Sequence, residues 1–198
     1  MLKLPKVTVT PAKLNWLNQS RRLMNPNELE VLASLMHSIG ATRAVETGCH
    51  EGRTALVLLH NVSTLRSYVG IDVPPDFDAS RLRCPVQHGE IPRDPGHLAV
   101  HDDRFRLLVR ERGSFDLTPE DIGECDFFFI DGDHSDAGVI NDTRLACQCV
   151  RNGGIVAWHD YHDLGTVDVR EVLHQMYDAG TDIKNAAGTW VAFSVARK

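Results

Sequence analysis

Short apolar runs alternate with segments of helical periodicity along most of this 198-residue chain. The runs are rich in β-branched and aromatic residues, as buried strands are. We predict strands over 42–45, 68–71, 105–109, 127–130, 155–158, 182–184 and 189–195, and helices over 26–39, 55–60, 136–150 and 167–179. Strands that alternate with helices are typical of an α/β protein built on a parallel sheet.

The first predicted helix has a clear start signal. Asn25 is a favourable N-cap residue, Pro26 suits the first helical position, and Glu28 is placed to reach back to the cap. The residues before this helix carry mixed signals. We therefore predict a single domain over 25–198, preceded by an N-terminal arm over 1–24 that packs on the domain or on a partner subunit.

A glycine-bearing turn links the strand over 42–45 to the helix over 55–60. Gly48 permits a tight turn, and Gly52 permits a close approach to the helix start, where free backbone N–H groups attract polar ligand groups. The next strand ends at Asp72, about twenty residues past the glycines. An acid at this position commonly binds the two hydroxyls of a ribose.

Two later strands each end in a cluster of acids and histidines. The run 127–130 leads into Asp131-Gly132-Asp133-His134, and the run 155–158 leads into His159-Asp160-Tyr161-His162-Asp163. A helix between the two strands would place both clusters at one edge of a parallel sheet, where α/β proteins bind ligands. The sequence therefore predicts a metal site or an acid–base site at that edge.

Composition and charge exclude several classes of partner. The net charge is −6 with histidine neutral, so no broad basic surface indicates nucleic acid or an anionic membrane. The apolar stretches are far shorter than the roughly 20 residues that span a bilayer, and residues 1–13 lack the apolar core of a signal peptide. The five cysteines lack the CxxC spacing of a zinc site. We expect a cytoplasmic protein that acts on a small molecule, and the sequence leaves homo-oligomerisation open.

The motif Glu46-x-Gly48-x-x-x-Gly52, followed by Asp72, resembles the nucleoside-binding half of class I S-adenosylmethionine-dependent methyltransferases. Further residues resemble one branch of that family, the small bacterial methyltransferases of the cephalosporin-hydroxylase and macrocin O-methyltransferase type. These residues are Phe129-Ile130-Asp131-Gly132-Asp133-His134, Gly153-Gly154 and Trp158-His159-Asp160-Tyr161. The resemblance implies a Rossmann-like, doubly wound, seven-stranded mixed sheet flanked by helices, in which the last strand is antiparallel.

The resemblance also implies S-adenosylmethionine as the cofactor and assigns residues to it. The matching positions are Glu46, Thr47, Gly48, Gly52, Asp72, Ser114, Phe115 and Asp131. Glu46, Gly48 and Gly52 would contact the methionine part, and Asp72 would bind the ribose. Ser114 occupies the place that usually touches the adenine, with Phe115 as a stacking neighbour.

In metal-dependent members of this family, an acid after the fourth strand and two adjacent residues after the fifth bind a divalent ion. The matching residues are Asp131, His159 and Asp160. His159 departs from the pattern, because relatives usually place two oxygen-bearing side chains there. Imidazole with carboxylates suits Mn²⁺, Fe²⁺ or Zn²⁺, whereas Mg²⁺ prefers oxygen ligands. Whether a metal binds stays open, and Asp133 is either an alternative ligand or a helix cap.

Methyl transfer to a hydroxyl requires a group that takes the hydroxyl proton. His134 is the predicted base because imidazole titrates close to neutral pH; His162 is the alternative, and Asp131 could serve if no metal binds. We expect methylation of a hydroxyl on a small molecule, such as a sugar or a natural product. Two other functions remain open: a metal-dependent oxygenase or hydrolase that uses both clusters, and a nucleoside-binding module without catalysis.

The segment 74–103 matches the family poorly. Five prolines within it break any long helix, and acids and histidines are scattered between them. A long irregular stretch in a compact domain is often a lid or binding loop. The segment follows Asp72 directly, so it is either a determinant of acceptor specificity or a variable surface excursion.

Overall fold

The computed structural model describes residues 3–15 and 24–197 as one mixed sheet with helices on both faces. The strands are β1 (Lys6–Val7), β2 (Arg43–Thr47), β3 (Ser67–Asp72), β4 (Phe105–Val109), β5 (Cys125–Ile130), β6 (Val150–Trp158), β7 (Ile183–Ala186) and β8 (Ala192–Val195). The helices are α1 (Pro26–Ser38), α2 (Arg53–Asn61), α3 (Pro119–Ile122), α4 (Asp136–Cys149) and α5 (Val169–Asp178), and 3₁₀ turns span Ala79–Arg81, Pro85–Gly89 and Gly113–Asp116. Residues 16–23 of the predicted arm lie outside the described residues, as do 1, 2 and 198.

The strand order across the sheet is β1-β7-β8-β6-β5-β2-β3-β4. Strands β2 to β6 pair in parallel, and β8 runs antiparallel to both β6 and β7. The chain moves outward from β2 to β4 and then returns to β5 on the other side of β2. The residues after β2 and β5 therefore meet at the point where the strand order reverses, which is where such sheets bind ligands. The prediction of a doubly wound sheet with an antiparallel last strand is confirmed.

The sheet has eight strands rather than the predicted seven, because the N-terminal arm adds β1 at the edge. The two residues of β1 pair in parallel with β7. The backbone N–H of Asn185 donates to the Pro5 carbonyl at 2.9 Å, and that of Ala187 donates to the Val7 carbonyl at 2.9 Å. A two-residue strand is too short to show an alternating pattern, so the sequence gives no signal for it.

The central strands are buried on both faces, which explains their continuous apolar runs. All six residues of β5 are buried. Phe128 and Ile130 enter the core under α4 and α5, whereas Phe127 and Phe129 enter the core under α1 and α2. Successive strand residues point to opposite faces, so one short run supplies both cores.

The predicted helix starts have side chains that satisfy free backbone N–H groups. The Glu28 carboxylate accepts a hydrogen bond from the Asn25 backbone N–H at 2.9 Å, as the capping pattern predicted. At the start of α4, the Ser135 hydroxyl accepts from the Gly138 N–H at 3.2 Å, and Asp133 accepts from the Ser135 N–H at 2.9 Å. Across 3–15 and 24–197, none of the helices is long and apolar enough to cross a membrane.

Candidate active site

A cavity of about 710 Å³ lies at the carboxyl ends of the central parallel strands. Its lining includes two groups of residues on opposite sides of one junction. The glycine end comprises Thr47, Gly48, Asp72, Ser114 and Phe115, and the acid–histidine cluster comprises Asp131, His134, His159 and Asp160. The cavity therefore joins most of the predicted nucleoside-binding residues to both predicted clusters of acids and histidines.

Gly48 brings the loops after β2 and β5 into direct contact. It has a φ of +75°, in the left-handed region that favours glycine. A Cβ atom at this position would overlap the Asp131 carbonyl and lie 2.7 Å from the Gly132 Cα. A side chain at position 48 would therefore push apart the two loops that form the junction between the glycine end and the acid–histidine cluster.

Asp72 ends β3 with its carboxylate at the cavity wall. Its Oδ2 accepts from the His50 N–H at 2.6 Å and its Oδ1 accepts from the Val73 N–H at 2.8 Å. Burial raises the pKa of Asp72 to about 6. The carboxylate is thus fixed by backbone donors and ionises close to neutral pH.

A buried acid that the sequence reasoning missed supports the 3₁₀ turn Gly113–Asp116. The Ser114 hydroxyl donates to the Asp142 carboxylate, and the Asn141 amide donates to the same carboxylate at 3.4 Å. Asp142 lies on α4 and lines the cavity, and burial raises its pKa to about 6. Its signal in the sequence was weak, because a lone acid within a helix ordinarily faces solvent.

Two of the predicted cofactor residues lie away from the cavity wall. Glu46 is 1% exposed, and its carboxylate accepts from the Tyr68 hydroxyl at 3.0 Å. Burial, together with the nearby Asp131, raises the pKa of Glu46 to about 8. Gly52 is the N-cap residue of α2 and approaches Gly96, so that a Cβ on Gly52 would lie 3.0 Å from the Gly96 carbonyl oxygen. For both residues, contact with the cofactor stays a prediction.

In the acid–histidine cluster, both histidines lie close to both aspartates. His134 Nε2 lies 3.5 Å from Asp131 Oδ1 and 3.2 Å from Asp160 Oδ2. His159 Nδ1 lies 3.2 Å and 3.4 Å from the same two oxygens. Asp160 has a φ of +56°, which is uncommon for a residue with a side chain and is typical of functional sites. Each imidazole thus faces both carboxylates.

A fifth group, Glu28, joins this cluster from helix α1. Glu28 Oε2 lies 3.2 Å from His159 Nε2, and both side chains are almost fully buried. Burial alone would raise the pKa of Glu28, yet the hydrogen bond from His159 holds that pKa below its ordinary value. Burial alone would lower the pKa of His159, yet Asp131, Asp160 and Glu28 hold it well above its ordinary value.

Asp131 and His134 show the same compensation. Burial would raise the pKa of Asp131, but His159 and His134 hold it below its usual range. Burial would lower the pKa of His134, but Asp131 and Asp160 raise it. Within the cluster, burial disfavours the charged forms and neighbouring groups of opposite charge favour them. The side chains of Asp131, His134 and Asp160 stay partly exposed at the cavity wall, at 20%, 12% and 14%.

The donor set of the cluster fits a divalent metal ion. The ligand atoms of Asp131, His134 and Asp160 all lie within 4.8 Å of one another. Within the described part of the chain, His134 Nε2 is a buried nitrogen with no hydrogen-bond partner of good geometry. Imidazole and carboxylate groups together suit a transition metal. The predicted ligands Asp131, His159 and Asp160 also lie together, and the geometry adds His134 to them.

The segment 74–103 covers the cavity. Its contributions to the wall are Phe77, Arg81, Leu82, Val86, Gln87, Glu90 and Ile91. Gln87 is buried, and its amide nitrogen donates to the Gly132 carbonyl at 2.7 Å while its amide oxygen accepts from the His134 N–H at 3.0 Å. Both ends of this side chain therefore fix the segment to the loop that carries Asp131 and His134.

Three further side chains complete the wall near Asp160. His162 Nε2 lies 3.6 Å from Asp160 Oδ1, and its ring packs edge-on against the ring of Trp190 with centroids 4.5 Å apart. Trp190 and Leu164 are 38% and 63% exposed. This part of the cavity combines an apolar rim with a charged floor.

Comparison with known proteins gives the family. A methyltransferase domain family matches residues 45–161, more than half of the chain. R132, an uncharacterized protein of Acanthamoeba polyphaga mimivirus, is 26% identical over 122 residues, which are 60% of this chain and 51% of that protein. The chain thus spans about half the length of this curated relative.

Solved structures share the fold at low sequence identity. Cofactor-bound Rv0187 from MTB is 20% identical with a TM-score of 0.63, and the match covers 91% of this chain and 84% of that one. TomG from Streptomyces achromogenes, an O-methyltransferase involved in tomaymycin synthesis and solved with SAM, is 17% identical with a TM-score of 0.55, covering 89% and 82%. From the family match, the fold and the cavity at its switch point, we conclude that the chain belongs to the class I S-adenosylmethionine-dependent methyltransferases.

Proposed function

We propose that this methyltransferase transfers the methyl group to a hydroxyl oxygen of a small molecule. The observation that carries the proposal is the contact between Gly48 of the glycine end and Asp131 of the acid–histidine cluster. Because the two loops touch, a cofactor at the glycine end would hold its methyl sulfonium beside groups able to accept a proton. Oxygen acceptors need that proton transfer.

The glycine end offers a contact for each part of S-adenosylmethionine. Thr47 and Gly48 would meet the methionine part, where the absence of a Gly48 side chain lets the loop lie against the backbone of Asp131 and Gly132. The Asp72 carboxylate would accept hydrogen bonds from the ribose hydroxyls. Ser114 would meet the adenine, and Phe115, 41% exposed, offers a ring face for stacking.

His134 is the proposed base. As the new O–C bond forms, the acceptor hydroxyl loses its proton to the imidazole, and Asp131 and Asp160 stabilise the charge that the imidazole gains. Bound S-adenosylmethionine supplies the methyl group, whose bond to sulfur breaks to leave S-adenosylhomocysteine. His162, on the other side of Asp160, is the alternative base.

The acid–histidine cluster is also the proposed site of a divalent metal. Asp131, Asp160 and an imidazole from His134 or His159 would hold the ion. A bound ion would lower the pKa of the acceptor hydroxyl and fix its orientation. If His134 Nε2 binds the ion, it cannot accept the proton of the acceptor hydroxyl, and His162 becomes the base.

The wall of the cavity favours an acceptor with an apolar body. Val86, Leu164 and Trp190 are large exposed hydrophobic residues that line the opening above the charged floor. An acceptor that carries a ring could pack on Trp190 while it presents a hydroxyl to His134. A natural product with an apolar ring meets this description better than a sugar does, and the part that TomG takes in tomaymycin synthesis supports it.

Asp72→Asn is expected to weaken S-adenosylhomocysteine binding by about 10- to 100-fold near pH 7.5, because a charge-assisted hydrogen bond becomes a neutral one. The pKa of Asp72 is about 6, above its ordinary value. Only the ionised carboxylate accepts both ribose hydroxyls, so wild-type affinity should rise as pH increases through about 6. The variant should lose that rise. Calorimetric titrations between about pH 5 and pH 8 measure both effects, and equal affinities for the two proteins would rule out this contact.

The proposed function is tested by the formation of S-adenosylhomocysteine with a panel of acceptors. Phenols, catechols, sugars and amines are supplied in turn, with no metal, Mg²⁺ or Mn²⁺. The proposal predicts turnover with a hydroxyl compound and none with the amines. Oxygen uptake with Fe²⁺ but without S-adenosylmethionine would instead favour an oxygenase, and tight cofactor binding without turnover would favour a binding module.

A further inference from the structure

Glu28 connects helix α1 to the acid–histidine cluster, and its carboxylate is 1% exposed. Its Oε2 accepts from the Asn25 N–H at 2.9 Å and faces His159 Nε2 at 3.2 Å. Its Oε1 accepts from the backbone N–H of Trp190 at 2.8 Å. The carboxylate therefore joins the start of α1, the turn between β7 and β8, and the histidine after β6.

The chemistry of these contacts determines which nitrogen of His159 carries a proton. An ionised carboxylate only accepts hydrogen bonds, and two backbone N–H donors already favour the ionised form of Glu28. The Nε2 atom of His159 must therefore be the N–H that donates to Glu28. The other nitrogen, Nδ1, is left facing Asp131 Oδ1 at 3.2 Å and Asp160 Oδ2 at 3.4 Å.

We propose that Glu28 is a positioning residue of the active site: it holds His159 with Nε2 protonated and with Nδ1 directed at Asp131 and Asp160. The use of this arrangement in catalysis rests on the proposed methyl transfer, whereas the arrangement itself does not. A carboxylate that fixes the orientation of an active-site histidine is typical of metal and acid–base centres.

The residues joined by Glu28 come from distant parts of the sequence. His159 and Asp131 lie within the matched segment 45–161, whereas Glu28 and Trp190 lie outside it. The active site is therefore completed by the first helix and by the last hairpin of the domain. Glu28 also explains how His159 is accommodated in the buried site, because its carboxylate accepts the hydrogen bond of a buried imidazole nitrogen.

Glu28→Gln tests the proposal, because it keeps the shape of the side chain but replaces one acceptor oxygen with a donor group. The Glu28 carboxylate accepts from the backbone N–H groups of Asn25 and Trp190 and from His159 Nε2, whereas a carboxamide has only one oxygen. Its NH₂ group would favour an unprotonated His159 Nε2. We expect ¹⁵N NMR of histidine-labelled protein to show His159 Nε2 protonated in the wild type and unprotonated in the variant. The rate of methyl transfer should fall by about 10- to 100-fold, with S-adenosylhomocysteine affinity unchanged.

Asn27→Ala is the matched control. The Asn27 amide donates to the Gly188 carbonyl at 3.0 Å, so it also links α1 to the turn between β7 and β8, but it does not contact the cluster. The control should leave the His159 signals unchanged. The proposal is overturned if the wild-type Nε2 is unprotonated, if Glu28→Gln leaves the His159 signals in place, or if Asn27→Ala changes them equally.

If Glu28→Gln fails to fold, the wild-type spectrum still tests the proposal, because the proposal requires a protonated His159 Nε2 in the wild-type protein. The spectrum needs no acceptor, so the two proposals fail separately. A protonated Nε2 that responds to Glu28→Gln, in a protein that methylates no hydroxyl compound, would retain Glu28 as a positioning residue and remove the proposed function. An unprotonated His159 Nε2 in an active O-methyltransferase would retain the proposed function and remove Glu28 as a positioning residue.

Discussion

Gly48→Ala is expected to abolish calorimetrically measurable binding of S-adenosylhomocysteine. The residue has a φ of +75°, and a Cβ would overlap the Asp131 carbonyl. The β2 and β5 loops must separate to make room, which deforms the glycine end and displaces Asp131 from the cluster. We expect a loss of affinity of at least about 100-fold, since both the strained backbone and the steric overlap oppose the bound geometry.

Gly40→Ala separates the steric effect from the general cost of a left-handed backbone. Gly40 also has a positive φ, of +59°, but a Cβ there meets nothing within 4 Å. This control should lose a little stability and keep its affinity. Circular dichroism and a melting curve establish that the Gly48 variant is folded. Tight binding by a folded Gly48→Ala protein would show that the ligand lies elsewhere.

His134→Gln is expected to reduce the rate of methyl transfer by about 10²- to 10⁴-fold, the contribution typical of a general base. The backbone N–H of His134 still donates to Gln87, so the loop should keep its position. Affinity for S-adenosylhomocysteine should change little, because the lost group acts on the acceptor. The rate is measured as S-adenosylhomocysteine formation with the best hydroxyl acceptor of the panel.

Two further histidine variants make this result specific. His60→Gln alters an exposed residue of α2 away from the cavity and should behave as wild type. His162→Gln should have a smaller effect than His134→Gln if His134 is the base. The reverse order would assign proton removal to His162 and would favour His134 as a metal ligand.

Much of the fold follows from local patterns in the sequence. The runs at 127–130 and 155–158 are apolar throughout because β5 and β6 are covered on both faces. Asn25 and Glu28 predicted the start of α1 because capping depends on neighbouring residues. The strand β1 escaped prediction because its pairing partner β7 is distant in sequence and the strand itself is too short for a pattern.

The sequence predicted the parts of the candidate site that depend on local patterns but not the contacts between residues distant in sequence. Asp131, His159 and Asp160 were predicted to come together because the ends of adjacent parallel strands share one edge. The second role of Glu28 could not be predicted, since its contact with His159 joins residues 131 positions apart. The assignments of Glu46 and Gly52 to the cofactor rested on a motif and stay predictions, because the residues that line the cavity include neither of them.

The most direct test of O-methylation follows the label from S-adenosylmethionine that carries ¹³C in its methyl group. After incubation with the best acceptor, ¹³C NMR of the product identifies the atom that received the methyl. We expect a new methoxy carbon whose formation is lost with His134→Gln and retained with His60→Gln. A label found on nitrogen or carbon, or methoxy formation that is insensitive to His134→Gln, would contradict this expectation.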